Sequence, residues 1–257
     1  MDVMTAHARR VTNRDLVAGV LVGLARRLAD GTQRRQVLKA LWIEAKRHGA
    51  RRVVNVETSR IDGLGSVNVH GSPARYCTLV LTALAMLLRC ERIFEIGTFR
   101  GDTSWLLAHN LPTARVYTLD LPGPDAVATA KLDLTDPEYF ASWDRGARFH
   151  GTPESARIVQ LFGDAAAFDF TPYRGAMDLV FVDASHSYSY VRSDTEAALT
   201  MLSETGTIVW DDYTHYAGIH AYLNELAPSL DHPIYHLLGT RLALYSRADR
   251  LSPQNWK

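Results

Sequence analysis

The chain has little cysteine, no long apolar run and no net charge, and each shortage narrows what it can be. Its 257 residues contain two cysteines, Cys77 and Cys90, both in or beside an apolar helical pattern. Buried thiols in a reducing cytoplasm are therefore expected, in place of a disulfide framework or a cysteine-held metal. The early apolar run Leu16 to Ala25 is about ten residues long, is followed by Arg26 and Arg27, and lacks a small-residue cleavage site. Neither a bilayer span nor a signal peptide is expected from it, and no membrane partner. Repeats and low-complexity tracts are missing too. Lys plus Arg equal Asp plus Glu at 28 each, yet residues 1–60 hold 13 of the former and 5 of the latter. A basic N-terminal stretch thus precedes an acidic remainder. Aromatic residues do not interleave the basic stretch as in a single-strand binder, so its arginines are read as solvating helices or pairing with acidic surface, not as a nucleic-acid site.

What is present centres on Arg92 to Pro122. An apolar run carries Glu95, then come Gly97 and Gly101, a helical pattern, and a second apolar run ending in Asp120. This is a strand, tight turn, helix, strand unit of about thirty residues, with the glycines letting the backbone lie close to a ligand. Asp120 falls where a carboxylate accepts ribose hydroxyls, so the unit reads as a nucleoside half-site. Charge selects the nucleoside. Glu95 would repel a pyrophosphate seated on the turn, and Ser104 stands where the third glycine of a dinucleotide fingerprint is expected. The sulfonium and ammonium groups of S-adenosylmethionine would instead be attracted. A nicotinamide-dependent oxidoreductase and a non-catalytic S-adenosylmethionine-binding protein are the competing readings.

Along the chain, helices are expected from Asn13 to about Ala29 and from Thr32, the second with an apolar face of Val37, Leu38, Leu41, Trp42 and Ala45 in which Trp42 is taken as core. Arg51 to His70 reads as a loop or irregular hairpin, and Ala74 to Leu88 as a buried helix. Strands follow at Ile93–Ile96, Arg157–Phe162, Met177–Val182 and Thr207–Trp210, with helices at Tyr188–Leu202 and Ile219–Leu226. A hairpin, Ile234–Leu238 with Arg241–Ser246, closes the pattern at Gly239-Thr240. Gly123 to Gly151 is polar and reads as a lid or a surface excursion. Acids recur at the carboxyl ends of the strands, where an open parallel sheet binds ligands.

The run E-I-G-T-F-R-G-D-T-S with V-Y-T-L-D-L after it resembles the first two motifs of class I S-adenosylmethionine-dependent methyltransferases, from about Arg75 to Arg247. The subgroup it resembles contains the catechol and caffeoyl-CoA O-methyltransferases and the metal-dependent sugar O-methyltransferases of macrolide pathways. The resemblance implies an α/β fold: a Rossmann-like, doubly wound, mostly parallel seven-stranded sheet with a closing antiparallel hairpin. Residues 73–257 would form that domain; residues 1–72, to which the resemblance does not extend, are read as a helical extension that caps the domain, shapes the substrate pocket or helps form a homodimer. It also implies that Glu95, Gly97, Thr98, Phe99, Gly101 and Thr103 surround the methionine end of the cofactor. Asp120 with Leu121 would meet the ribose, and Gly163, Asp164 and Ala165 the adenine.

Asp183, Asp211 and Asp212 arrive from two neighbouring strand ends. Three carboxylates there repel one another unless a cation lies between them, and oxygen ligands suit Mg2+. In the enzymes resembled, these positions hold such an ion; here His186 replaces a lysine of the catechol subgroup. A hydroxyl acceptor on a small molecule (sugar, catechol or natural product) must lose a proton during transfer. His186, three residues past Asp183, is the first candidate to take it, and His215 the second.

Overall fold

Alternation along each strand decides which residues face which helix layer. The computed structural model describes residues 13–48, 52–61, 63–71, 76–123, 126–127, 129–132 and 144–248. It divides into two compact units, Met1–Ala50 and Arg51–Lys257.

The first unit contains α1 (Asn13–Ala29) and α2 (Gly31–His48), joined at Asp30. Both helices leave apolar side chains in solvent, including Val20 at 68% and Trp42 at 56% exposure. Trp42 is therefore not the core residue expected; a two-helix unit is too small to enclose a side chain of that size.

The second unit is built on one sheet. Its strands are β1 (Val54–Glu57), β2 (Arg92–Ile96), β3 (Arg115–Asp120), β4 (Ile158–Phe162), β5 (Met177–Val182), β6 (Leu202–Trp210), β7 (Tyr235–Leu238) and β8 (Ala243–Ser246). They lie in the order β1-β7-β8-β6-β5-β2-β3-β4, with β8 antiparallel to both its neighbours and every other pair parallel. The sheet is one strand larger than expected. Val54–Glu57, read from sequence as irregular, adds to the edge of β7 because Val56 turns into the core while its neighbours stay exposed. Residues 51–72 thus begin within the sheet unit and not within a helical extension.

Ile93, Leu179, Phe181 and Val209 point to one face, where they pack with α3 (Tyr76–Leu87) and α4 (Asp102–Asn110). Phe94, Val180, Val182, Ile208 and Trp210 point to the other, against α5 (Tyr188–Met201) and α6 (Ala217–Leu226). Helices on both faces make the sheet doubly wound, and each fully buried aliphatic side chain contributes about 1.5–3 kcal/mol. Ser187 caps α5 by accepting the backbone N–H of Tyr190 at 3.2 Å. Both cysteines are buried and neither is in a disulfide. No described helix is long and apolar enough to cross a membrane.

The chain runs outward from β2 through β3 and β4, then returns to place β5 on the other side of β2. The carboxyl ends of β2 and β5 thus flank the topological switch point, where open α/β sheets bind ligands.

Candidate active site

At the switch point Gly97 has φ +110°, and a Cβ there would lie 2.1 Å from the carbonyl oxygen of Asp183. Only glycine lets the two strand ends approach so closely. Gly101, with φ +84°, precedes α4, and a Cβ on it would meet the Phe149 ring at 2.6 Å. A cleft of about 270 Å³ opens over this turn, lined among others by Glu95, Gly97, Thr98, Phe99, Thr103, Asp183 and Asp211.

Glu95 is 1% exposed. Its Oε2 accepts hydrogen bonds from Ser104 Oγ and, at 2.6 Å, from Thr118 Oγ1, whose oxygen lies 2.7 Å from Thr98 Oγ1. Burial pushes this carboxyl up to about 7, against the pull of the two hydroxyls. Ser104, which marks the missing third glycine in the sequence, thus has a positive role as a donor to Glu95.

Asp120 ends β3 beneath the turn. Its Oδ2 accepts the N–H of Phe99 at 2.7 Å, its Oδ1 that of Leu121 at 2.8 Å, and Arg145 Nε lies 3.2 Å from Oδ2. Phe99 reaches this geometry with φ +46°, in the left-handed region that a phenylalanine seldom occupies. Burial raises the Asp120 carboxyl while Arg145 pulls it down. Asp164 lies just beyond β4, where Gly163 donates its N–H to Asp120 O at 2.9 Å. Its carboxylate accepts from the N–H groups of Ala166 and Lys131, both at 2.9 Å, and from Tyr190 Oη at 3.0 Å. Ala165 packs partly buried against the core beside it. The structure brings Asp120 and Asp164 to adjacent strand ends as expected, each held by a neighbouring N–H and also by groups distant in sequence, Phe99 and Arg145 for Asp120, Lys131 and Tyr190 for Asp164.

Asp183, Asp211 and Asp212 converge at the ends of β5 and β6, and the group differs from expectation in two ways. First, a protein cation is already in it. Arg241 Nη2 donates to Asp211 Oδ2 at 2.7 Å, and Nη1 forms an ion pair with Asp212 Oδ1 at 2.6 Å. Second, His186 belongs to the cluster: its Nε2 is 3.2 Å from Asp212 Oδ2, and its ring stacks on Tyr216 with centroids 3.9 Å apart. Asp183, His186 and Asp212 offer one ligating atom each, all within 4.8 Å of one another. Asp211 is not in that set; its other oxygen accepts the N–H of Asp212 at 2.7 Å. Burial and the two neighbouring acids hold Asp183 well above the usual carboxylate range. Burial would raise Asp212 as well, but His186 and Arg241 bring it below. The surroundings thus push the two carboxyls in opposite directions. His215 Nδ1 lies 3.1 Å from Thr214 Oγ1, and its side chain is outside the three-residue set.

The expected lid lies in part outside the described residues, at 124–125, 128 and 133–143. Arg145, missed in the sequence reading, comes from the described part of that segment.

Residues 94–213, the span that holds all of these acids, match the family described as a methyltransferase domain. Over that span, just under half of the 257 residues, the chain is similar to a methyltransferase domain. Among solved structures, this chain resembles a candidate caffeoyl-CoA O-methyltransferase from Staphylococcus aureus at 16% identity, over 82% of this chain and 98% of that one, with TM-score 0.50. The O-methyltransferase TomG of Streptomyces achromogenes, in complex with S-adenosylmethionine, matches at 20% identity over 75% and 90% of the two chains, TM-score 0.48. The Podospora anserina methyltransferase PaMTH1, bound to S-adenosylhomocysteine, matches at 16% over 91% and 96%, TM-score 0.49. At such identities the likeness concerns the fold. No curated protein matches the sequence. Nothing in these comparisons favours a nicotinamide-dependent oxidoreductase, in keeping with the carboxylate of Glu95 at the glycine turn.

Proposed function

We propose that this protein transfers the methyl group of S-adenosylmethionine to a hydroxyl oxygen of a small molecule. The observation that carries the reading is the Asp183, His186, Asp212 constellation beside a cleft that Glu95 and the glycine turn also line. Glu95 would face the positive end of the cofactor, and Asp120 and Asp164 its ribose and adenine. The acceptor then enters from the Asp183 side. His186, fixed by Tyr216 and by Asp212, takes the hydroxyl proton, and the Asp212 carboxylate stabilises the imidazolium that results. Holding oxygen, methyl carbon and sulfur in line supplies much of the rate, since the sulfonium is already an activated donor.

Two carboxylate oxygens and an imidazole nitrogen within 4.8 Å also fit a divalent ion, with Mn2+ suited as well as Mg2+ because one donor is nitrogen. Such an ion, when bound, supplies Lewis acidity that lowers the pKa of an acceptor hydroxyl. Asp183, His186 and Asp212 would hold it, without Asp211, and in that loaded form His186 would serve as a ligand in place of its role as proton acceptor.

Labelled methyl transfer to a panel of hydroxylated and amino compounds, alongside calorimetry with S-adenosylmethionine and NAD, tests the proposal. Turnover on hydroxyl acceptors is expected, with His186→Ala lowering kcat by about 10²- to 10⁴-fold and leaving cofactor affinity in place. Transfer to amines alone, or cofactor binding with no turnover, would refute it. The exposed apolar faces of α1 and α2 further lead us to propose a homodimer joined through residues 13–48. A monomeric mass in light scattering at micromolar concentration counts against the dimer.

A further inference from the structure

Arg241 lies between β7 and β8, on the strand pair that runs antiparallel beside β6. Its backbone is held from two sides: its carbonyl accepts the N–H of Tyr213 at 2.9 Å, and its own N–H points to Cys77 Sγ on α3 at 3.5 Å. The guanidinium straddles two consecutive acids, 2.7 Å from Asp211 Oδ2 and 2.6 Å from Asp212 Oδ1. Asp212 adopts φ +57°, a left-handed backbone that turns its carboxylate between Arg241 on one oxygen and His186 on the other. A guanidinium stays charged at any pH where the protein is folded, and its fork matches carboxylates far better than a lysine does.

We propose that Arg241 is the resident cation of the acidic cluster, a positioning residue that reserves Asp211 and one oxygen of Asp212 and so restricts divalent-ion binding to Asp183, His186 and the second oxygen of Asp212. The inference rests on the reading of those three residues as a cation site. Two consequences follow from charge. The cluster stays assembled without a metal, because its densest negative pair already has a counter-charge. A divalent ion that does enter is repelled by a fixed positive charge a few ångströms away and finds fewer ligands than the acids nominally present.

The test uses the full chain and Mn2+ alone as probe, with free Mn2+ read by electron paramagnetic resonance and Tm measured with and without the ion. Arg241→Gln removes the charge and frees Asp211. It is expected to bind Mn2+ at least about tenfold more tightly than the wild type and to gain a Mn2+-dependent rise in Tm. Arg241→Lys, which keeps the charge but loses the fork, should fall between wild type and Arg241→Gln. Adding Asp211→Asn to Arg241→Gln should remove a large part of the gain, because Asp211 is the ligand released. Unchanged or weaker Mn2+ binding by folded Arg241→Gln overturns the proposal. Should that variant fail to fold, Asp211→Asn alone decides: affinity within about twofold of wild type supports the assignment, and a loss of about tenfold or more overturns it. If Arg241→Gln binds Mn2+ and the wild type does not, the restricted three-ligand ion site is overturned. The separate assay of methyl transfer after chelation reports on the proposed reaction itself.

Discussion

Glu95 and Asp211 are both buried carboxylates at the ligand end of the sheet, 1% and 5% exposed, yet they are held by different chemistry. At the end of β2, Glu95 receives two hydroxyls, from Ser104 and Thr118. At the end of β6, Asp211 and its neighbour receive a guanidinium. Hydroxyl donors compensate a buried carboxylate only in part, so Glu95 titrates close to neutrality. A guanidinium fixes the charge of its two partners instead, while burial and the neighbouring acids push Asp183 upward. A cationic ligand therefore meets an adjustable acid on one side of the switch point and a pre-neutralised pair on the other.

The contrast can be broken most severely where the two sides touch. Gly97→Ala would force a Cβ to within 2.1 Å of the Asp183 carbonyl, on a backbone that alanine resists. A loss of about 3 kcal/mol or more in urea denaturation is expected, together with loss of cofactor binding. An unchanged midpoint would mean that the strand ends are not in contact. Removing the compensating group on each side comes next. Arg241→Ala leaves two buried carboxylates without their partner and should cost about 3 kcal/mol, against about 1 kcal/mol for Ser104→Ala. The reverse order in chemical denaturation would contradict the contrast.

Titration sharpens it further. Because the Glu95 carboxyl lies near 7, its negative charge is lost as pH falls through that value. Affinity for the cationic cofactor should rise about tenfold between roughly pH 6 and pH 8 by calorimetry, and Glu95→Gln should flatten the profile. The smallest effect concerns Asp194 on α5. It is fully buried, and neither oxygen has a hydrogen-bond partner among the described residues. Burial raises its folded-state carboxyl well above the ordinary value. The sign follows: the folded state favours the protonated acid, so stability is lost as pH rises above the unfolded value of about 4. Asp194→Asn cannot ionise and should gain about 1 kcal/mol over wild type near pH 8, and less near pH 5. A gain independent of pH would remove Asp194 as the cause.

Much of the sheet was legible because its signals are local. Strand-end acids, the alternation of Ile93 with Phe94, and the two glycines of the turn each follow from residues one to five apart. The edge strand Val54–Glu57 escaped, since one buried valine in four residues gives almost no period, and pairing with β7 crosses most of the chain. Trp42 misled for a related reason: helical spacing reveals an apolar face without telling what covers it.

Sequence alone indicated that five strands would deliver acids to one edge, that Glu95 would disfavour a pyrophosphate at the turn, and that Asp183, Asp211 and Asp212 would repel one another without a cation, read there as Mg2+. Strand period and turn geometry are properties of neighbouring residues, and like charges at one edge repel whatever surrounds them. Tertiary structure decided who answers each charge. Tyr190 reaches Asp164 across 26 positions, Arg145 reaches Asp120 across 25, and Arg241 reaches Asp211 across 30. No short-range pattern encodes such pairs, because a flexible side chain finds its carboxylate only after the sheet has brought the two segments to the same edge.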